Sequence, residues 1–363
     1  MPFFPETMLV VEGWVIDRDG EHAGYVVLDD EGRVVERGKP GTLGLTDYPK
    51  VRGVVLPGMV NGHTHLADAV WGQEPPGGPL SEIVRPPNGI KHQLLAKTAR
   101  EDKVRAMRQA LETMAGNGIA ATMDFREEGA EGVRALHDAA WEQPVEPFVL
   151  GRPTSISDIH EVDHLLSLAD GLGLSAFKDH PTEEMVRAAR ETVGQHKFLA
   201  LHASEDEREP IDPILDLHPS LLVHLTTASV PDLERVRDAK VPLAFCPRSN
   251  ALFGRFPPLH LAEKLGIPFL LGTDNLMFNF PDLFREMEFA YVTARLHHAP
   301  VKPESLLRAV FLTPWEVLGR PEMARLQPGG TARTLALRIP LRDTAYEIVA
   351  RTGTGNILSP KSA

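Results

Sequence analysis

Val54-Val55-Leu56-Pro57-Gly58-Met59-Val60-Asn61-Gly62-His63-Thr64-His65 is an apolar run that ends in two histidines one residue apart. In an extended chain successive side chains alternate between faces, so residues i and i+2 point to the same side. The imidazoles of His63 and His65 can therefore converge on one point at the end of a strand.

Outward from that segment, short apolar runs recur at residues 120–125, 145–150, 172–177, 198–201, 221–225, 241–245 and 268–271. Residues 54–56 supply the first run of the series. Helical patterns lie between the runs, at residues 102–115, 130–141, 183–193, 230–239 and 283–296. This alternation predicts an α/β chain folded as a TIM-like (β/α)8 barrel. An open doubly wound sheet would alternate too, but no G-x-G-x-x-G loop follows the first strand. Pro75-Pro76-Gly77-Gly78-Pro79 and Arg85-Pro86-Pro87-Asn88-Gly89 form an insertion after that strand, where a barrel would carry a lid. Both ends read differently. Residues 8–16, 24–28, 33–36, 334–339 and 346–350 are strand-like, and polar turns such as Asp29-Asp30-Glu31-Gly32 separate them. One small sheet domain built from both termini is expected, at residues 1–53 plus 321–363, around a catalytic barrel at 54–320.

Lys plus Arg is 38 and Asp plus Glu is 50, a formal net charge of −12, which repels phosphate backbones and acidic membrane surfaces. Nucleic acid and membrane are not expected partners, and a small-molecule substrate is. No apolar run approaches the about 18 residues of a membrane span, and residues 1–11 lack the pattern of a signal peptide. The one cysteine, Cys246, excludes an intrachain disulfide and a Cys-rich zinc site. A cytoplasmic protein is expected, and homo-oligomerisation is compatible with it.

His202 ends the fifth predicted strand, His224 ends the sixth and Asp274 follows the eighth. With His63 and His65 they lie at C-terminal strand ends, the face where barrel enzymes place their chemistry. Other histidines, such as His137, His160 and His164, have no such placement. Three neutral imidazoles and a carboxylate suit one divalent metal, Zn or Fe(II), and leave a coordination position for water. Such an ion lowers the pKa of bound water from about 15.7 toward about 7. An amine leaving group also needs a proton. Glu205, three residues after His202, is spaced to carry it, whereas Asp206, Glu207 and Glu209 read as a solvated acidic run. Arg126 follows the second strand and Arg152 the third, where both are expected to grip a polar or anionic edge of substrate. Pairing with Glu127 or Asp158 competes with that role. Trp71 and Gln73 are expected to line the pocket, and Asn250 to hold substrate after the seventh strand. Lys178 ends the fourth predicted strand and reads as a surface lysine. Cys246 reads as a packed apolar residue.

Residues 57–65, His202-Ala203-Ser204-Glu205, His224, Cys246-Pro247-Arg248-Ser249-Asn250 and Leu271-Gly272-Thr273-Asp274 together resemble the amidohydrolase superfamily of metal-dependent hydrolases. Within it the likeness is to the cytosine-deaminase-like and ATZ/TRZ (atrazine chlorohydrolase-like) branch. The resemblance implies a distorted (β/α)8 barrel with a composite β-sandwich from both termini. It also implies metal bound by His63, His65, His202 and Asp274, with Glu205, His224 and Asp274 as catalytic residues. Glu205 would handle protons, His224 would orient the attacking hydroxide, and Asp274 would take a proton from the water. The implied activity is hydrolytic deamination of a purine, pyrimidine or related heterocycle, with release of ammonia. The alternative is hydrolysis of a cyclic amide or a carbon–halogen bond. In other branches a carboxylated lysine at the place of Lys178 bridges two metals. A non-catalytic small-molecule-binding relative would have no need of Glu205. The cytidine deaminase fold needs a P-C-x-x-C pair, which a single cysteine excludes.

Overall fold

The run at residues 54–65 is divided at Gly58 between two sheets. In the computed structural model, which describes residues 8–44, 48–72, 77–86 and 88–358, the strands are β1 (Leu9–Asp17), β2 (Gly20–Leu28), β3 (Val34–Gly38), β4 (Lys50–Pro57), β5 (Met59–His65), β6 (Ile119–Arg126), β7 (Glu146–Gly151) and β8 (Gly171–Leu174). They continue as β9 (Phe198–Ala203), β10 (Leu221–His224), β11 (Leu243–Phe245), β12 (Phe269–Leu271), β13 (Asp274–Asn275), β14 (Thr334–Leu337) and β15 (Ile357–Leu358).

Strands β5 to β12 run parallel in sequence order, and the short β13 pairs with β5 to close the ring, with Asp274 opposite Thr64 and Asn275 opposite His65. The barrel expectation holds. Parallel strands covered on both faces must be apolar throughout, and every residue of β6 is buried. Met123, Phe125, Leu150, Val223, Cys246 and Leu270 fill the barrel interior. The larger apolar cluster lies between the strands and the surrounding helices. Closure brings the first and last strands unusually near. A Cβ at Gly62 would lie 2.7 Å from Leu270 Cβ, and one at Gly272 would lie 2.6 Å from the His63 nitrogen. Only glycine fits at either place. Asn61 bridges the same seam: its Nδ2 donates to Thr273 Oγ1 at 2.7 Å, and its Oδ1 accepts from Thr273 N at 2.9 Å.

The first predicted barrel strand needs correction, because residues 54–56 belong to β4. That strand runs through the expected domain boundary at residue 53 and joins a six-stranded sheet of order β15-β14-β4-β1-β2-β3. Hydrogen bonding is continuous over those six strands. Both faces of the sheet carry buried apolar residues, Leu9, Val11 and Val26 on one and Val10, Tyr25 and Val27 on the other. The barrel begins only at Met59.

Residues 346–350 also differ from expectation: they are helix, not strand. The helix Thr344–Arg351 starts at Asp343, whose side chain accepts from Tyr346 N at 3.4 Å. Thr344, Glu347 and Ile348 are buried at the i, i+3, i+4 spacing of one helical face. Tyr346 packs edge-on to Tyr291 of the helix Leu283–Leu296, with ring centroids 5.8 Å apart. Burial against the barrel helices outweighs the strand preference of Tyr, Ile and Val. Among the described residues no helix is long and apolar enough to cross a membrane.

Candidate metal centre and active site

Each candidate residue sits where a barrel strand ends. His63 and His65 close β5, His202 lies one residue inside the end of β9, His224 ends β10 and Asp274 opens β13. Pairing of β9 with β10 sets Val223 beside His202 and His224 beside Ala203. Ser204, His224, Leu225 and Asp274 have φ of +47°, +77°, +48° and +59°. Left-handed backbone costs a residue with a Cβ roughly 1 to 3 kcal/mol. Its concentration at the strand ends shows that the surrounding fold compels these turns.

The ligand atoms of His63, His65 and His202 lie within 4.8 Å of one another, and so do those of Glu205, His224 and Asp274. Asp274 joins the two groups. Its Oδ1 is 3.2 Å from His63 Nε2 and 3.6 Å from His65 Nε2, and its Oδ2 accepts from Ser249 Oγ at 2.5 Å. His202 Nδ1 donates to Leu174 O at 2.8 Å, which leaves Nε2 bare. His65 Nδ1 faces Phe125 O at 3.2 Å and Glu127 Oε1 at 2.8 Å. His63 is fully buried; its Nε2 meets only the Asp274 carboxylate, and its Nδ1 has no hydrogen-bond partner.

Charge follows burial. Desolvation holds His63 and His202 below the ordinary imidazole range. Desolvation, joined by the Lys91 charge, pushes His65 down to about 3. Burial alone would raise Asp274, but the neighbouring imidazoles, His63 foremost, hold it well below the usual carboxylate range. Neutral imidazoles, one carboxylate and an orphaned buried nitrogen are a donor set that fits a divalent cation. Cys246 Sγ is within 4.8 Å of ligand atoms of His63 and Asp274, but burial raises its pKa well above the ordinary thiol value and keeps it protonated. It packs in the barrel interior.

Glu205 lines the cavity floor together with His65 and His202, with Oε1 3.4 Å from His224 Nε2. Asn250 Nδ2 is 3.2 Å from His224 Nδ1. An amide nitrogen only donates, so Nδ1 accepts and the ring proton sits on Nε2, facing Glu205. Burial raises Glu205 to about 7, with His224 pulling the other way. A cavity of about 150 Å³ opens over this floor. Leu80, Val84, Phe253 and Phe278 give it an apolar side, and Lys91, Arg152 and Ser175 a polar one.

Residues 54–346 match the model of the amidohydrolase family. The chain belongs to that family. It is accordingly a hydrolase of carbon–nitrogen bonds. A provisionally named aminohydrolase of Methanothermobacter thermautotrophicus is 35% identical over 262 residues, covering 67% of this chain and 68% of that protein. A 5-methylthioadenosine/S-adenosylhomocysteine deaminase of Haloarcula marismortui is 27% identical over 329 residues, covering 80% and 74%. The crystal structure of a zinc-bound adenosine deaminase from Xanthomonas campestris superposes with a TM-score of 0.76, covering 98% of this chain and 91% of that one. At 15% identity that likeness speaks for the fold.

Several expectations about this amidohydrolase are corrected by the geometry. Arg126 does not face the mouth. Its side chain is 1% exposed, 2.6 Å from Glu127 Oε2 and 3.3 Å from Asp124 Oδ2, because on β6 it alternates with the interior Phe125 and turns toward the surrounding helices, where its Nη1 meets Met107 Sδ at 3.3 Å. Arg152 does line the cavity; its Nε donates to Gly173 O at 3.3 Å and its Nη1 is 3.7 Å from Glu127. Asn250 lies behind His224 and outside the cavity lining. Trp71 follows the turn Leu66–Val70 and is likewise outside the lining, and Gln73 lies outside the described residues. The fourth strand stops at Leu174, so Lys178 falls in the 3-10 turn Phe177–Asp179, where its Nζ is 3.1 Å from the exposed Glu207. Glu209 is not part of a solvated run. It is buried and accepts from Ser204 N at 2.8 Å and Lys178 N at 2.9 Å, pinning the loop that carries Glu205.

Sequence reasoning missed Lys91 and Asp68. Lys91, on the helix Ile90–Lys97, is 2% exposed, with Nζ 2.8 Å from Asp68 and 2.7 Å from Glu127. Burial alone would lower its pKa, but the two carboxylates raise it, so it stays an ammonium. A lysine on a short polar helix carries no sequence signal of burial.

Proposed function

We propose that this amidohydrolase is a mononuclear metal-dependent aminohydrolase that deaminates a purine, pyrimidine or related heterocycle to its oxo form and ammonia. The observation that carries the reading is the Glu205–His224 pair, within 4.8 Å of Asp274 and open to the cavity. Proton transfer to a ring nitrogen and to a departing amine needs such a group. His63, His65, His202 and Asp274 would hold the ion, zinc or iron(II), which when bound supplies Lewis-acid charge and an acidified water. Around it, Glu205 carries the protons. His224, with its proton kept on Nε2 by Asn250, offers a donor to the reacting centre. Ser249 holds the outer oxygen of Asp274, so that Oδ1 stays turned to the histidines. The name of the haloarchaeal relative, a deaminase of adenine compounds, supports an aminopurine within this class. The pairing of Lys178 with Glu207 favours the one-metal reading over a carbamate-bridged site for cyclic amides.

The test begins with metal analysis of protein purified without added metal, followed by ammonia release from a panel of aminopurines, aminopyrimidines and their nucleosides. On the best substrate Glu205→Gln should keep its metal and lose about 10² to 10⁴ in kcat. Asp206→Asn should change little. Near-wild-type turnover by the Gln variant would sink the assigned mechanism, and no ammonia from any member of the panel would sink the substrate class.

A further inference from the structure

Glu127, the first residue after β6, is 2% exposed, yet it is the meeting point of four basic groups. Its Oε1 is 2.8 Å from His65 Nδ1 and 2.7 Å from Lys91 Nζ. Its Oε2 accepts from Arg126 Nη2 at 2.6 Å, and Arg152 Nη1 stands 3.7 Å from Oε1.

Charge neutralisation accounts for Lys91 and Arg126, which could not be buried unpaired. It does not account for the histidine. His65 Nδ1 faces two acceptors and no donor, so the ring proton must sit on Nδ1 and the lone pair on Nε2. Nε2 is the atom turned toward Asp274, on the side where His63 and His202 gather. The two other histidines of that cluster are supported differently. His202 Nδ1 has only a neutral carbonyl, Leu174 O, and His63 Nδ1, the corresponding nitrogen, has no partner. A full negative charge beside Nδ1 makes an imidazole a stronger donor at Nε2.

We infer that Glu127 is a positioning residue for the metal centre: it fixes the tautomer and raises the ligand strength of His65, and Lys91 and Arg126 hold it there. Lys91 arrives on a helix of the insertion that follows β5, so the same carboxylate docks that insertion onto the first strand's histidines. The inference rests on the metal reading above, but its test does not use the deaminase reaction.

Chelator-stripped protein is titrated with zinc against a chromophoric competitor, and thermal melting of the stripped forms is recorded alongside. Glu127→Gln should bind zinc about 10- to 100-fold more weakly than wild type. Asp17→Asn removes a buried carboxylate of the terminal sheet, paired with Arg37 at 3.0 Å. It should lose stability with zinc affinity unchanged, which separates positioning from a general structural role. Should Glu127→Gln fail to fold, Glu127→Gln with Lys91→Met removes one buried charge of each sign, and it should show the same weakening. Nitrogen-15 spectra of stripped wild type should place the His65 proton on Nδ1. Unchanged zinc affinity in a folded Glu127 variant, or a proton on His65 Nε2, overturns the positioning role and leaves the metal reading standing. Failure of wild type itself to take up zinc overturns both.

Discussion

Arg126 and Arg152 show how much one residue's register decides. Both follow a barrel strand and both carry the same charge, but one ends inside an ion-pair network and the other at the cavity wall. Arg126 neutralises Asp124 and Glu127 with 1% of its side chain exposed. Removing one member of a buried pair leaves an uncompensated charge and costs about 3 to 5 kcal/mol. Arg126→Met should therefore lower stability to denaturant by about that amount. Arg152 hydrogen-bonds through Nε to a backbone carbonyl and keeps Nη1 3.7 Å from Glu127, at the edge of that network, while its side chain lines the cavity. Arg152→Met should raise KM several-fold with kcat and stability nearly unchanged. The reverse pattern, a stable Arg126 variant with raised KM, would reassign the two. At the same scale the corrected Glu209 and Asn250 are residues whose partners lie across a loop or on another strand, out of reach of local spacing.

Among the elements, the helices Val230–Ala239 and Leu283–Leu296 have the bounds that the sequence predicts, and the first shows why. Ser229 and Asp232 form a capping box: Ser229 Oγ accepts from Asp232 N at 3.4 Å, and Asp232 Oδ2 accepts from Ser229 N at 2.8 Å. Arg208 then pairs with the same carboxylate, Nε at 2.7 Å from Oδ2. The Arg208 hydrogen bond, helped by Ser229 against the effect of burial, lowers Asp232 to about 2. Its folded value lies below the unfolded value of about 3.9, so the carboxylate binds protons more weakly when folded. Its contribution to stability is complete above about pH 4 and is lost as the pH falls toward 2. Ser229→Ala should cost about 1 kcal/mol at pH 7 and leave activity per folded molecule unchanged. The stability gap between wild type and Asp232→Asn, measured in urea, should narrow from pH 5 to pH 2.5. A gap that stays constant over that range would mean the carboxylate titrates alike in both states.

For the whole molecule, the site ties together strands separated by more than 200 residues, since His63 and Asp274 meet only when the ring closes. A ligand that binds the closed ring and not the open chain must stabilise it, by about 2.7 kcal/mol at a free concentration 100 times its Kd. Chelation should therefore lower the melting temperature of protein purified with its metal, and zinc should restore it. His63→Ala should melt at the same temperature with and without chelator. No change in wild-type melting on chelation would count against a metal held by these four residues. The termini serve the same closure. Gly58 N donates to Arg333 O at 2.7 Å and Trp315 Nε1 to Gly58 O at 3.3 Å, so the point where the chain passes from one sheet to the other is held by the far end of the sequence.

The barrel and the five residues His63, His65, His202, His224 and Asp274 were legible from sequence alone because both rest on local periodicity. Strand–helix alternation shows in the spacing of apolar residues, and the end of a parallel strand shows where the run stops and a polar residue follows. Glu205 was legible by its offset from His202. What tertiary structure alone decided are the features that depend on which segments meet. Residues 54–56 and 59–65 look like one strand, and only pairing with β1 and β14 assigns the first part to the terminal sheet. Residues 346–350 have strand-forming side chains, and only burial against the barrel helices makes them helix. Lys91, Glu127 and Asp68 look like ordinary surface charges. Their burial is tolerable only because each is neutralised by the others, a condition that no single segment carries and that the folded barrel meets by bringing them together.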